Sequence, residues 1–457
     1  MSAGHDVVVQ DTASARLVER FSRFTCEKLP QSTVHALKRL LLDYLGVAIA
    51  GSNSDSGRIA REFALLDGGT PQATVIGDSR PATAAQAAFA NAISAHSIEL
   101  DDIDVLAYFH FSPPVYSAAL AAGELQRATG KQLLVALAAG CELMGRVSKS
   151  TNPSLRDRNF HTTSTCGTFG AAIAAGLLWQ LQPAQLVSAL GLAGAQAAGI
   201  LEFQGTSMQK RFGPGPAARS GLTAARMAQL GFAGQELIFE GRRGFLTAFS
   251  DKSDPGQLVA GIDEPYELLI EFKPYACARP IHNAIDCALE IRRAHQPELA
   301  AIAGIEVARH PSWAGKHGEK APKSFHAAQL SLAYSTAIVL KEGRALLQEY
   351  SERNLSDPLL QRLMACTTIS VDAALPRGVS CRMTMTMNDG RRHVAQVDFP
   401  KGSVEVPMSD AEIEEKFRGL ATDIVGKQNA DAIVQKVHGV EACRDIRELM
   451  ALTRARD

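Results

Sequence analysis

The sequence GTFGAAIAAGLLWQLQPAQLVSALGLAGAQAAGI occupies residues 167–200 and decides the fold prediction. Its periodicity predicts two helices, one from about Cys166 to Leu181 and one from Pro183 to Ile200. Both segments are rich in Gly and Ala. Small residues on facing helices let the two backbones approach closely, so we expect a deeply buried central pair within a larger helical bundle.

Helical patterns continue on the N-terminal side of this pair. Pro113 and Pro114 introduce a segment that runs to Gly130, and a further segment runs from Lys131 to about Val147. The short turns between these segments predict antiparallel helical hairpins. Nearer the N-terminus, Ser32 can cap a helix that ends at Gly51. Its apolar positions share one face: Val34, Leu37, Leu41 and Leu45.

The pattern changes after about Tyr266. Ile302–Val307 is short and β-prone, and Arg382–Met387 alternates before an Asn-Gly-type turn that leads to a second strand, His393–Phe399. A helix is expected from about Ser324 to Leu340, and helical patterns return from Ser409 onwards.

These changes predict a mainly α protein. Residues 1–268 and 405–457 would form a large all-helical domain, and residues 269–404 would form a smaller α+β domain inserted into it. A chain of 457 residues has ample interior for two domains.

Composition excludes several functional classes. With 46% hydrophobic and 21% charged residues, the chain is globular and not disordered. Its 47 Lys and Arg balance 48 Asp and Glu, so no overall field attracts nucleic acid or an acidic membrane surface. We therefore expect neither nucleic acid nor a membrane as a partner.

Cysteine usage and the absence of apolar runs predict a cytoplasmic protein. The eight cysteines form no CxxC pair and are too dilute for a disulfide framework. Met1–Gln10 lacks the pattern of a secretory signal. Leu186–Leu201 falls short of the roughly 20 apolar residues that span a bilayer.

The first polar cluster runs from His96 through Glu99, Asp101 and Asp102 to His110. Ionisable groups at this density suit acid–base catalysis. The alternative is a solvated loop or a helix cap. Because neither an HExxH nor an EF-hand pattern is present, we predict no metal ligand.

The second cluster, Asn159–Thr165, lies directly before the Gly/Ala-rich helix. A helix N-terminus offers free N–H groups and positive dipole character, so His161 and the hydroxyl residues beside it could hold a carboxylate. The alternative is a simple N-cap.

The third cluster, Gln204–Pro216, combines Gly and Pro with Lys210 and Arg211. It predicts a rigid loop with anion-binding tips, although a solvated surface lysine would also fit. The sequence lacks the GK[ST] ending of a nucleotide-binding loop.

The fourth cluster, Glu271–His282, carries Lys273, Arg279 and His282 between two prolines. It predicts a rigid cationic rim, and a domain hinge would explain the prolines equally well. Cys277 is expected to be inert packing rather than a nucleophile.

Taken in order, these motifs resemble the MmgE/PrpD family, which contains 2-methylcitrate dehydratases, cis-aconitate decarboxylases and iminodisuccinate epimerase. The resemblance spans about Ala13 to Cys443. The residues that carry it are His96-Ser-Ile-Glu-Leu-Asp-Asp102, His110-Phe-Ser, Phe160-His161 before Gly-Thr-Phe-Gly, Gly205-Thr through Lys210, and Lys273-Pro-Tyr with His282.

The resemblance implies an all-helical domain with an inserted α+β lid domain and an active site in the cleft between them. It also implies a homodimer that uses no metal or organic cofactor. The reactions of the family share the loss or relocation of a proton beside a carboxylate, so the expected substrate is a small polycarboxylate.

The resemblance also implies roles for individual residues. His110 and His161 would transfer protons, and Lys210 and Lys273 would bind carboxylates. The remaining predicted residues are Glu99 and Asp102 in the catalytic set, and Arg211, Arg279, Thr162, Tyr275 and His282 in the substrate-binding set.

Three positions depart from the family pattern. Glu99 stands where relatives carry Asp, Phe111 replaces a proline, and Ala278 stands where the decarboxylases carry a second histidine. The loss of that histidine favours a hydro-lyase of the 2-methylcitrate dehydratase type. The alternatives are an epimerase of an amino or imino dicarboxylate, a cis-aconitate decarboxylase, a non-catalytic carboxylate-binding protein and a metal-dependent hydrolase.

Overall fold

The computed structural model of the protein describes residues 11–66, 68–104, 109–203, 207–376 and 378–455. Met1–Gln10, where we predicted no secretory signal, and Gly205-Thr206 of the family motif lie outside the described residues. The described chain is mostly helical with a small mixed sheet, which confirms the mainly α prediction.

The chain forms two compact units. Unit 1 comprises Met1–Ser97, Asp104–Leu269 and Asp410–Asp457, and unit 2 comprises Ile98–Ile103 and Ile270–Ser409. The domain boundaries predicted from the sequence stay a prediction.

Unit 1 begins with thirteen described α-helices and one short antiparallel strand pair. The strands are β1 (Ala73–Thr74) and β2 (Pro81–Ala82). The helices are α1 (Ala13–Ser22), α2 (Gln31–Ser52), α3 (Asp55–Leu66), α4 (Ala84–His96), α5 (Ser112–Gln126), α6 (Gly130–Thr151), α7 (Ser154–Asp157), α8 (Thr162–Leu178), α9 (Pro183–Gly194), α10 (Ser207–Phe212), α11 (Pro214–Gln229), α12 (Phe245–Phe249) and α13 (Gly256–Val259).

Unit 2 contains five described α-helices and a four-stranded sheet, and the chain then returns to unit 1 with three more described α-helices. The unit 2 elements are α14 (His282–His295), β3 (Ile302–Arg309), α15 (Phe325–Gln329), α16 (Leu332–Glu342), α17 (Glu352–Leu355), α18 (Pro358–Ala365), β4 (Thr367–Val371), β5 (Cys381–Met387) and β6 (Arg392–Val397). The last helices are α19 (Asp410–Val425), α20 (Lys427–His438) and α21 (Arg447–Met450).

The Gly/Ala-rich helix α8 lies at the centre of unit 1, and all of its residues except Leu177 are buried. A Cβ on Gly170 would lie 2.7 Å from the Gly140 carbonyl oxygen of α6, and one on Gly221 of α11 would lie 2.6 Å from the Thr168 carbonyl oxygen. These glycines allow the backbones of α6, α8 and α11 to pack closely against one another. The predicted partner α9 buries only one face, so the small residues of α8 serve mainly its contacts with α6 and α11.

The sheet of unit 2 has the strand order β4-β3-β5-β6. β5 pairs antiparallel with β6, as the predicted hairpin requires, and it also pairs antiparallel with β3. β4, which the sequence pattern does not predict, pairs parallel with β3. The predicted helix Ser324–Leu340 is wrong as one element. It is divided into α15 and α16, because the Ser331 hydroxyl accepts the Tyr334 N–H and starts a new helix.

Among the described residues, no helix combines the length and the apolar character that crossing a membrane requires.

Candidate active site

Three buried histidines form a group in unit 1. His96 ends α4, His110 precedes α5, and His161 is the N-cap residue of α8. The ring centroid of His96 lies 4.8 Å from that of His110 and 6.2 Å from that of His161. The structure thus brings together both predicted histidines, and it adds His96, which the sequence prediction did not include among the site residues.

His161 is held by the backbone and by a hydroxyl. Its backbone N–H donates to the Gly199 carbonyl at 3.0 Å, and its ring Nδ1 shares a 2.7 Å hydrogen bond with Ser164 Oγ. Burial lowers the pKa of His161 well below its usual value of 6.5, and the nearby His96, His110 and Lys210 lower it further. The imidazole is therefore neutral at physiological pH and can accept a proton.

Gly213 is required by the His161–Ser164 contact. A Cβ at this position would lie 2.3 Å from Ser164 Oγ and 2.9 Å from His161 Nδ1. The sequence prediction explained this glycine by the rigidity of a Gly/Pro loop, whereas the structure shows that it leaves room for the histidine and its hydroxyl partner.

The first turn of α8 faces the histidine group with hydroxyl residues. Thr163 Oγ1 accepts a hydrogen bond from the backbone N–H of His110 at 3.2 Å. The buried Thr162 Oγ1 has no hydrogen-bond partner among the residues that the structure describes. Since buried polar atoms are normally paired, this hydroxyl at a helix N-terminus suits an anionic ligand.

The two basic residues of α10 differ in their surroundings. Arg211 is 1% exposed, and its Nη1 donates to the His96 carbonyl at 3.4 Å. Lys210 is half-buried, and its charge is among those that lower the pKa of His161. Arg211 thus supports the backbone of the histidine group, while Lys210 lies where its charge acts on His161.

A second group of ionisable residues lies in unit 2. Lys273 is 1% exposed, and its Nζ lies 3.4 Å from Glu99 Oε2 and 3.5 Å from Asp101 Oδ1. The structure therefore brings the predicted Lys273 and Glu99 together. Asp101, which the prediction omitted, joins them, while the predicted role of buried Asp102 stays a prediction.

The residues after Lys273 form an internal network in unit 2. Arg279 donates to Glu271 Oε2 and to the Lys401 carbonyl, both at 2.8 Å, and its Nη1 lies 3.0 Å from His282 Nδ1. The Tyr275 hydroxyl donates to Asp286 Oδ1. A role for Tyr275, Arg279 and His282 in substrate binding stays a prediction, and their observed partners are protein groups.

Cys277 lies in the same segment and is fully buried. Burial raises the pKa of its thiol to about 12, so the thiolate is not formed near neutral pH. This agrees with the expectation that Cys277 is packing rather than a nucleophile.

Comparison with known proteins covers nearly the whole chain. Residues 15–258 match the model of the MmgE/PrpD N-terminal domain, and residues 275–439 match that of the MmgE/PrpD C-terminal domain. The chain is similar to a cis-aconitate decarboxylase-like protein, oryM, of Aspergillus oryzae, with 28% identity over 98% of both chains.

Two further relatives are called cis-aconitate decarboxylase. The protein of Aspergillus terreus is 28% identical over 94% of both chains. The protein of Homo sapiens is 26% identical over 93% of this chain and 91% of its own length.

Proposed function

The chain belongs to the MmgE/PrpD family, and from that premise we propose that it is a lyase that acts on a small di- or tricarboxylate. The reaction would begin with removal of a proton from carbon next to a carboxylate. A small polycarboxylate is also the substrate class suggested by the relatives named cis-aconitate decarboxylase.

The group formed by His96, His110 and His161 carries this proposal. A base for this step must be unprotonated near neutral pH, and the lowered pKa of buried His161 meets that requirement. A second imidazole within the group can return the proton to the substrate or to a leaving hydroxide. His96 and His110 are the two candidates for this acid.

Removal of the proton places negative charge on the neighbouring carboxylate in an enolate-like state. The N-terminus of α8 and the unpartnered Thr162 hydroxyl supply dipoles that favour such charge. Lys210 and Lys273 supply the positive charge expected to bind the carboxylates of the substrate.

The bond that breaks next decides the type of lyase. In a dehydration, the C–H electrons form a C=C bond as hydroxide leaves and takes up a proton to become water. We prefer this reaction, of the 2-methylcitrate dehydratase type, because Ala278 stands where the resemblance to the family implies a histidine in its decarboxylases.

Decarboxylation is the second candidate, and the names of the relatives favour it. In that reaction a C–C bond to a carboxylate breaks in place of the C–H bond, CO2 leaves, and the electron pair left on carbon takes up a proton. Return of the first proton to the opposite face, without loss of a group, would give the epimerase alternative.

The family membership also supports three structural proposals: a homodimer, a lid role for residues 269–404, and an all-helical domain formed by residues 1–268 and 405–457. A cytoplasmic location and the absence of a metal or cofactor stay predictions.

The proposal is tested by incubating the protein in deuterated water with citrate, 2-methylcitrate, cis-aconitate and amino dicarboxylates, and following each sample by NMR. We expect deuterium incorporation next to a carboxylate together with an unsaturated product. Formation of an itaconate-type product and CO2 would show that the reaction is a decarboxylation and not a dehydration. Exchange without any product would indicate an epimerase. No exchange and no product with any substrate of the panel would refute the proposed function.

A further inference from the structure

Gln329, the last residue of α15, makes two long-range hydrogen bonds within unit 2. Its side chain is fully buried, and Nε2 donates to the Ile98 carbonyl and to the Ala276 carbonyl, each at 2.9 Å. A side-chain amide nitrogen carries two N–H groups, so both donors are used. The backbone carbonyl of Gln329 also accepts the Ala278 N–H at 3.0 Å.

The two carbonyls belong to the segments that carry the charged group of unit 2. Ile98 directly precedes Glu99, and Ala276 follows Lys273 by three positions. A single buried side chain therefore joins the backbone beside the carboxylate to the backbone beside the lysine. The distance between Glu99 Oε2 and Lys273 Nζ, 3.4 Å, depends on how these two segments are aligned.

The backbone of Glu99 is in a conformation that needs support. Its φ is +59°, in the left-handed region that is disfavoured for residues with a Cβ. Such residues persist when surrounding structure holds them, and they concentrate at functional sites. The hydrogen bond from Gln329 holds the peptide that immediately precedes this residue.

We propose that Gln329 is a positioning residue that keeps Glu99 and Lys273 at ion-pair distance. Its catalytic consequence rests on the proposed function, because the lysine is expected to bind a substrate carboxylate. When both N–H donors are removed, the two segments lose this side-chain link near Glu99 and Ala276, while the backbone pair of Ile103 and Glu271 still joins them. A displacement of about 1 Å at a reacting group can cost on the order of 100-fold in rate.

Two substitutions of similar shape remove the donors. Gln329→Met supplies no donor, and Gln329→Glu places carboxylate oxygens against two carbonyl oxygens. We expect both variants to lose about 100-fold in kcat/KM at pH 8. On acidification the Glu variant regains activity relative to the Met variant, because a protonated carboxyl group offers one O–H donor. Loss of packing alone would not produce such a pH-dependent recovery.

Asn283→Asp is the matched control in the same unit. Asn283 is also fully buried, and its Nδ2 donates at 3.0 Å to the carbonyl of Val397 on β6, which belongs to neither the Glu99 segment nor the Lys273 segment. This variant loses a buried amide donor of the same kind. We expect it to lower the unfolding midpoint in urea while keeping kcat/KM within about threefold of the wild type.

Hydrogen exchange measured by mass spectrometry without any substrate gives a readout that does not depend on the proposed function. In Gln329→Met we expect faster exchange in peptides covering residues 98–103 and 273–278, and wild-type exchange in α14 and α18. If the wild type shows no activity on the whole panel, the proposed function fails and exchange alone decides the role of Gln329.

Wild-type exchange in both segments would overturn the positioning role. With an active wild type, retained kcat/KM in Gln329→Met would overturn it too, as would an equal loss of activity in Asn283→Asp.

Discussion

Replacing Glu124 by Gln is expected to remove a pH-dependent loss of stability. Glu124 on α5 is 5% exposed; its Oε2 accepts the Thr74 N–H at 2.8 Å and its Oε1 accepts the Thr74 hydroxyl at 2.7 Å. Burial raises the pKa of Glu124 from 4.5 to about 7, even though the bonds from Thr74 and the charges of Arg454 and Arg447 act in the opposite direction.

The direction and size of the effect follow from proton linkage. Between pH 4.5 and about 7 the folded protein keeps a proton on Glu124 that the unfolded chain has released. The contribution of the neutral carboxyl group is thus fully present below pH 4.5 and is lost as the pH rises through about 7. A pKa raised from 4.5 to about 7 corresponds to a loss of about 3 kcal/mol in the free energy of unfolding.

A glutamine has the shape of the protonated carboxyl group and keeps an acceptor for the Thr74 N–H. We expect urea unfolding to give equal stabilities for Glu124→Gln and the wild type near pH 4.5. At pH 8 the variant should be more stable by up to about 3 kcal/mol. Glu415→Gln, at an exposed position of α19, is the control and should follow the wild type. If the free energies of unfolding of Glu124→Gln and the wild type differ by the same amount at pH 4.5 and at pH 8, the reasoning is refuted.

Three further predictions concern the histidine group. His161→Gln is expected to lower kcat about 100-fold or more with an unchanged circular dichroism spectrum, because the proton acceptor is lost; deuterium exchange into the substrate measures it, and wild-type exchange would contradict the assignment. Because the pKa of His161 is lowered, the acid limb of the kcat/KM profile should lie below pH 6.5, and a limb above 6.5 would contradict it. Gly213→Ala should reduce kcat, because its Cβ would lie 2.3 Å from Ser164 Oγ, and Ser164→Ala in the same chain should restore part of the loss. Gly145→Ala is the matched control, since a Cβ there meets nothing within 4 Å, and an equal loss of activity in it would remove the steric explanation.

Local signals in the sequence were sufficient for much of the fold. The hairpin of β5 and β6 follows from alternation around Asn388-Asp389-Gly390, because both pairing strands adjoin the turn. β4 was missed because its partner β3 is more than 50 residues away in sequence. Periodicity within a short stretch of sequence does not indicate which distant strands pair. The break between α15 and α16 was missed because Ser331 acts as a cap inside an otherwise continuous helical pattern.

The sequence by itself determined the chemical groups of the candidate site: two predicted histidines, two lysines and a run of carboxylates, in the order that identifies the family. Only the tertiary structure decided which of them meet. Lys273 lies 174 positions from its partner Glu99, and Gln329 lies 231 positions from the carbonyl of Ile98. A hydrogen bond requires placement to within a few tenths of an ångström, and that placement comes from packing between distant segments. The same packing excludes water from His161 and lowers its pKa, a property that the sequence around an imidazole does not contain.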